Sequence, residues 1–189
     1  CWKLLSNIDG FEGPVGQSLS TQAATGRSFQ VEMKIQVNQV SIKSGERIKV
    51  RLLEDGYECW FNLPDILSNA IRIKKWEPYL FNREQIQEKL PKVMLWIEKA
   101  SQHSEKYYWG GTIGPNFDCS GLVQAAFASQ NIWIPRDAYQ QEDFCEKIAL
   151  SLDDLKNLRL GDLLFFGSRQ KCTHVAIHIE KGFYWHSSG

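Results

Sequence analysis

In the first third of the chain, apolar and polar residues alternate with a period of two in several short runs. These cover 29–37, 40–43, 47–53 and 57–62, and the turn pairs Ser44-Gly45 and Asp55-Gly56 stand between them. Short strands at this spacing predict a small β-barrel. The period changes after Trp76-Glu77-Pro78-Tyr79. Asn82 is a good N-cap, and Ile86, Leu90, Val93, Met94, Ile97 and Ala100 form an apolar stripe; Pro91 predicts a kink there or two abutting helices. A second helix is predicted behind Asp118, where the apolar positions 122, 123, 126 and 127 recur at helical spacing. A short helix over 152–158, a buried strand around 163–166 and two further strand signals at 173–179 and 184–188 complete the chain. Helices first and a meander afterwards is an α+β pattern.

The chemistry gathers at the start of the second helix and on the late strands. Cys119 falls in the first turn behind Asp118, where unpaired N–H groups and the positive dipole end stabilise a thiolate. A period of two along 173–179 puts His174, Ala176 and His178 on one face and turns Val175, Ile177 and Ile179 to the core. His174 can then serve Cys119 as a base, and His186 on the next strand can hold the imidazole in one tautomer. His178 and His103 carry no such role, and Tyr108 is expected in the core.

Composition narrows the partners. The chain has 189 residues, 43% of them hydrophobic, which suffices for one large core or two small ones. Its 22 basic and 22 acidic residues cancel without long runs of either sign, so a peptide or small ligand is expected in place of nucleic acid or an anionic membrane. No run of 18 apolar residues predicts a membrane span. Five scattered cysteines, Cys1, Cys59, Cys119, Cys145 and Cys172, form no disulfide framework and point to a reducing, cytoplasmic compartment; a removed signal peptide would instead place the protein in the periplasm or at the wall. Trp-Lys-Leu-Leu after Cys1 is bulky for a lipidated terminus. Neither a C-x-x-C nor an H-x-x-x-H pair is present, so no metal or other cofactor is expected.

Five blocks carry a resemblance: Tyr107-x-Trp-Gly-Gly, Asp118-Cys-Ser-Gly-Leu-Val-Gln124, Arg159-x-Gly-Asp-Leu-x-Phe-Phe166, Thr173-His-Val175 and His186-Ser-Ser-Gly189. In order and spacing, with Tyr107 twelve residues before Cys119 and His186 twelve after His174, they resemble the NlpC-type cell-wall cysteine peptidases. The likeness around 110–141 is nearest to cyanobacterial members that cleave γ-D-glutamyl–diamino acid bonds and carry an N-terminal SH3-like domain. The resemblance implies an SH3-like barrel over 1–76 and a papain-like NlpC-type domain over 77–189, its nucleophile helix packed on an antiparallel sheet. Family members usually continue beyond His186 with further strand, so an incomplete C-terminal end is expected.

The family pattern implies catalytic roles for Cys119, His174, His186 and Tyr107, the tyrosine hydroxyl serving the oxyanion. It implies substrate contacts at Asp118, Ser120, Arg136 and Asp137, with Arg136 pairing a γ-D-glutamyl carboxylate. Against this stands a structural Arg–Asp ion pair with a helix cap. Tyr57 and Asp65 are expected to line a cleft that admits only a free amino terminus, the alternative being a barrel-core aromatic and a helix cap. The implied partner is a peptidoglycan peptide, L-Ala-γ-D-Glu-diamino acid, acted on by a monomer. Two other functions fit the pattern: another Cys/His amidase or acyltransferase on the same scaffold, and a non-catalytic module that binds wall peptide.

Overall fold

The computed structural model describes residues 1–32, 46–103, 106–148, 156–168 and 170–189. The expected strand at 40–43, the end of the run 29–37 and most of the helix expected at 152–158 lie outside them. The chain divides into two compact units, one of Cys1–Pro78 with Trp109–Ile113, the other of Tyr79–Tyr108 with Gly114–Gly189.

The first unit is built from β1 (Trp2–Leu4), β2 (Ile8–Phe11), β3 (Leu19–Ala23), β4 (Ser28–Val31), β5 (Arg47–Leu52), β6 (Glu58–Asn62), α1 (Leu63–Asn69) and β7 (Ala70–Arg72). Its strands pair antiparallel in the order β3-β2-β6-β5-β4-β1-β7. Where a closed barrel was expected, no pairing among the described residues joins β3 to β7. The period-two signal of β5 turns Ile48, Val50 and Leu52 inward, where they pack with Phe29, Cys59, Phe61 and Leu63. Phe29 meets Phe61 edge-on at 5.5 Å, a preferred arrangement for aromatic rings. Arg27, nearly buried, is held by Glu54 at 3.3 Å and Asp55 at 2.7 Å.

Residues Trp109–Ile113 complete this unit. Thr112 Oγ1 donates to the Gln22 carbonyl and accepts from the Gln22 N–H, while Gln22 Oε1 accepts from the N–H groups of Thr112 and Ile113 at 3.4 Å. Gly110 has φ of +77°, and a Cβ there would lie 2.7 Å from the Leu19 side chain and 2.9 Å from its carbonyl oxygen. Only glycine fits that backbone at that distance.

In the second unit, α2 (Arg83–Ser101) begins with the Asn82–Gln85 capping box, each side chain taking the other's N–H at 2.9 Å. It continues through Pro91 as one helix, without the division into two that the proline allowed. Pro91 and Gln87 both face solvent, so water can take the carbonyl that the missing N–H leaves. α3 (Cys119–Ala128) is buried nearly all round, as a helix at the centre of a core must be. α4 (Ala138–Phe144) follows, then β8 (Leu163–Gly167), β9 (Cys172–His178) and β10 (Tyr184–Trp185) in an antiparallel sheet of order β10-β9-β8. Val175 and Ile177 turn into a core shared with Val93 and Ile97 of α2 and Val123, Ala126 and Phe127 of α3, as the alternation predicts; Ile179 lies past the strand end. No helix among the described residues is long and apolar enough to cross a membrane.

Candidate active site

Asp118 caps α3 by accepting the Gly121 N–H at 2.7 Å. That cap places Cys119 in the first helical turn, 6% exposed. Its sulfur lies against the main-chain N–H groups of Cys119, Ser120 and Val175, and the Tyr107 hydroxyl bonds to it. The Val175 contact shows that α3 and β9 meet beside His174. Tyr107, half-buried and near both Cys119 and Asp118, has its phenol pushed up to about 12, chiefly by burial, and stays a donor at any working pH.

On the sheet, His174 Nε2 lies 3.0 Å from His186 Nδ1, with the rings perpendicular. A proton on His174 Nε2, donated to His186, leaves His174 Nδ1 as the acceptor. Phe166 lies tilted against His174 at 5.8 Å and Tyr184 meets His186 edge-on at 5.5 Å. No hydrogen bond joins Cys119 to His174 among the described residues; sites without substrate often hold such pairs apart until the complex tightens.

The electrostatics differ from the expected thiolate. Burial pushes the Cys119 thiol up, and the Asp118 carboxylate adds to it, against the three N–H groups that pull it down. Burial and then the charge of His186 push His174 down. Desolvation outweighs the three N–H groups at the sulfur, so the thiol is held up and the imidazole down.

Arg136 is 2% exposed, and its guanidinium is engaged by the residues flanking the cysteine. Nη2 meets Asp118 Oδ2 at 2.6 Å, and Nη1 donates to Asp118 Oδ1 at 3.1 Å and to Ser120 Oγ at 3.0 Å. This is the ion-pair arrangement weighed against a substrate contact in the sequence. Asp137 is the N-cap of α4, its N–H donating to Gln140 Oε1 at 3.1 Å. In the first unit, Tyr57 packs against the apolar core and its N–H donates to Asp55, while Asp65 accepts from Asn62 Nδ2 at 2.9 Å in the first turn of α1. His178 is buried with Nδ1 bonded to the Arg159 carbonyl at 2.9 Å, a structural position. His103 is exposed, and Tyr108 is 42% exposed where a core position was expected.

Sequence reasoning missed the groups that fasten this site. Gln124 Nε2 donates to the Ile134 carbonyl at 2.9 Å, and Gln141 Nε2 to the carbonyls of Ser120 and Pro135. Cys172 Sγ donates to the His174 carbonyl at 3.4 Å. For Gln124 the signal was a glutamine on a largely apolar helix, and Gln141, on the polar α4, offered none.

A cysteine at the head of a buried helix thus carries a hydroxyl on its sulfur, with a histidine pair on the strands of the adjoining sheet. Residues 104–189, a little under half of the chain, match the model of the NlpC/P60 family. Three relatives illustrate its company. The chain is 37% identical over 95 residues to the bifunctional muramidase/DL-endopeptidase CwlT of Bacillus subtilis strain 168, covering 48% of this chain and 27% of that protein. It is 34% identical over 84 residues to the murein DD-endopeptidase/murein LD-carboxypeptidase MepS of Escherichia coli K12, covering 44% and 42%. It is 39% identical over 84 residues to the γ-D-glutamyl-L-lysine dipeptidyl-peptidase of Bacillus cereus ATCC 10987, covering 43% and 24%. The matches thus span less than half of each relative's length.

Proposed function

We propose that the chain is a cysteine endopeptidase hydrolysing the bond between γ-D-glutamate and meso-diaminopimelate in peptidoglycan peptides that begin with a free L-Ala. The observation that carries the chemistry is the Tyr107 hydroxyl and the Val175 N–H meeting at the Cys119 sulfur, beside a His174–His186 pair 3.0 Å apart. The bond itself rests on the sequence blocks and on the printed names of the DL-endopeptidase and the γ-D-glutamyl-L-lysine peptidase.

In this reading His174 Nδ1 takes the Cys119 proton as sulfur attacks the γ-carbonyl carbon. The N–H of Cys119 and the hydroxyl of Tyr107 donate to the oxyanion. His174 returns the proton to the leaving amine, and a thioester of the γ-D-glutamyl residue remains. His174 then draws a proton from water, water attacks the thioester, and sulfur leaves as the thiol. Asp118 and Ser120, held by Arg136, line the acyl side with Asp137 nearby. The first unit is SH3-like in this reading, supported by its antiparallel strands over a single apolar core and its place ahead of the NlpC/P60 domain. Tyr57 and Asp65 are its proposed substrate residues.

The test is incubation with L-Ala-γ-D-Glu-meso-diaminopimelate and detection of released diaminopimelate. Release is expected from the wild type and none from Cys119→Ala; release persisting in that variant removes the mechanism. The name of the murein DD-endopeptidase relative favours a second reading, cleavage between two D-centres. Mass analysis of products from a cross-linked muropeptide separates the two. Equal rates on free and N-acetylated peptides would take Tyr57 and Asp65 out of the proposal.

A further inference from the structure

Gln141 plays no part in the chemistry above, yet it is fully buried on α4. Its Nε2 donates to two main-chain carbonyls, Pro135 at 2.8 Å and Ser120 at 3.2 Å. A carbonyl only accepts, so these partners settle which way the carboxamide faces. Its Oε1 is then buried with no donor among the described residues. A leucine would fill similar space without that orphaned acceptor; what the glutamine adds is a bridge between two carbonyls.

Both carbonyls flank the nucleophile. Ser120 follows Cys119, and its N–H lies on the Cys119 sulfur. Pro135 precedes Arg136, whose guanidinium holds Asp118 and Ser120. Gln124, one turn further along α3, takes the Ile134 carbonyl. The segment 134–136 is therefore fastened to α3 by three side chains, and Gln141 grips the helix and the segment at once.

We infer that Gln141 is a positioning residue for the nucleophile: by bridging the Ser120 and Pro135 carbonyls it holds the first turn of α3 with its N–H groups facing sulfur. This rests on reading Cys119 as the nucleophile, although its test needs no substrate. Without the bridge the peptide joining Ser120 to Gly121 loses an anchor, the first turn of α3 loosens about Ser120, the Ser120 N–H in the preceding peptide leaves the sulfur, and the thiol ionises at higher pH.

The experiment follows Cys119 alkylation by iodoacetamide against pH in the full chain, with the Cys119 peptide quantified by mass spectrometry to separate it from the other cysteines. In Gln141→Leu the ionisation midpoint is expected to move up by about one pH unit, slowing alkylation at neutral pH about tenfold. A folded Gln141→Leu protein with the wild-type midpoint overturns the inference, since a purely structural role would lower only stability. Should that variant not fold, the wild type decides. The Gln141 side-chain amide resonances are expected to shift with the Cys119 midpoint and to stop doing so in Cys119→Ala; resonances that never respond overturn the inference. Failure to cleave the muropeptide, with the alkylation shift intact, removes the proposed substrate and leaves Gln141 its role.

Discussion

Burial raises the Cys119 thiol and lowers the His174 imidazole, and His186 adds to the second effect. A lowered imidazole stays unprotonated further into acid, so it still accepts a proton below pH 6.5, its ordinary value. The acid limb of kcat/KM is therefore expected below pH 6.5, falling as His174 takes up a proton. His186→Ala removes the repulsion and should move that limb upward, while kcat drops about 10²-fold or more because the tautomer is no longer held. A pH–rate profile of both proteins checks this, and a wild-type limb above pH 6.5 contradicts it. At this scale the residue types were legible, because Cys119, Tyr107, His174 and His186 sit in short runs of unusual composition. The Val175 N–H was not, because a main-chain group acquires a role only through the strand's position. The balance of burial against helix dipole was equally hidden, since both act at one atom and only the packed structure weighs them.

Between elements, the segment 134–136 and the head of α3 are joined through one buried ion pair. Arg136 is 2% and Asp118 7% exposed at the side chain, so removing the cation strands a carboxylate in a dry site. Arg136→Met is expected to cost about 3–5 kcal/mol in urea unfolding, and adding Asp118→Asn should recover part of it. A loss no larger than that of a surface pair would show that solvent reaches the carboxylate. The longer elements were readable locally: α2 from its capping box and apolar stripe, β5 from its strict alternation. β1, β2 and β3 were not. Trp2–Leu4 is three residues long and is stabilised by Phe29 and Arg72, distant partners invisible to a local window. Gly10 breaks the alternation of β2, and α1 begins directly where β6 ends, with no turn residue between them. Short pieces of this kind are specified by their neighbours more than by their own propensity.

For the folded chain as a whole, alkaline stability offers a separate test. Cys59 is fully enclosed in the first unit, and burial pushes its thiol up to about 12. In the unfolded chain the same thiol ionises near its ordinary 9.0. Between those values the unfolded state gives up a proton that the folded state keeps, so stability falls as pH rises, by about 1.4 kcal/mol per unit for this one group. Cys59→Ala, though weaker overall from the lost packing, should show a flatter decline in denaturant midpoint above pH 9. An unchanged slope would mean that the thiol ionises while folded.

The return of Trp109–Ile113 to the N-terminal unit bears on how such a protein can be cut or recombined. Five residues midway between the tyrosine and the cysteine depend on Leu19 and Gln22 for their packing and hydrogen bonds. A fragment starting near residue 79 would carry that stretch without its support, and a chimaera with a foreign leading region would need matching side chains at 19 and 22. A designer who trims near residue 79 takes away the residues that pack against and hydrogen-bond the stretch 109–113.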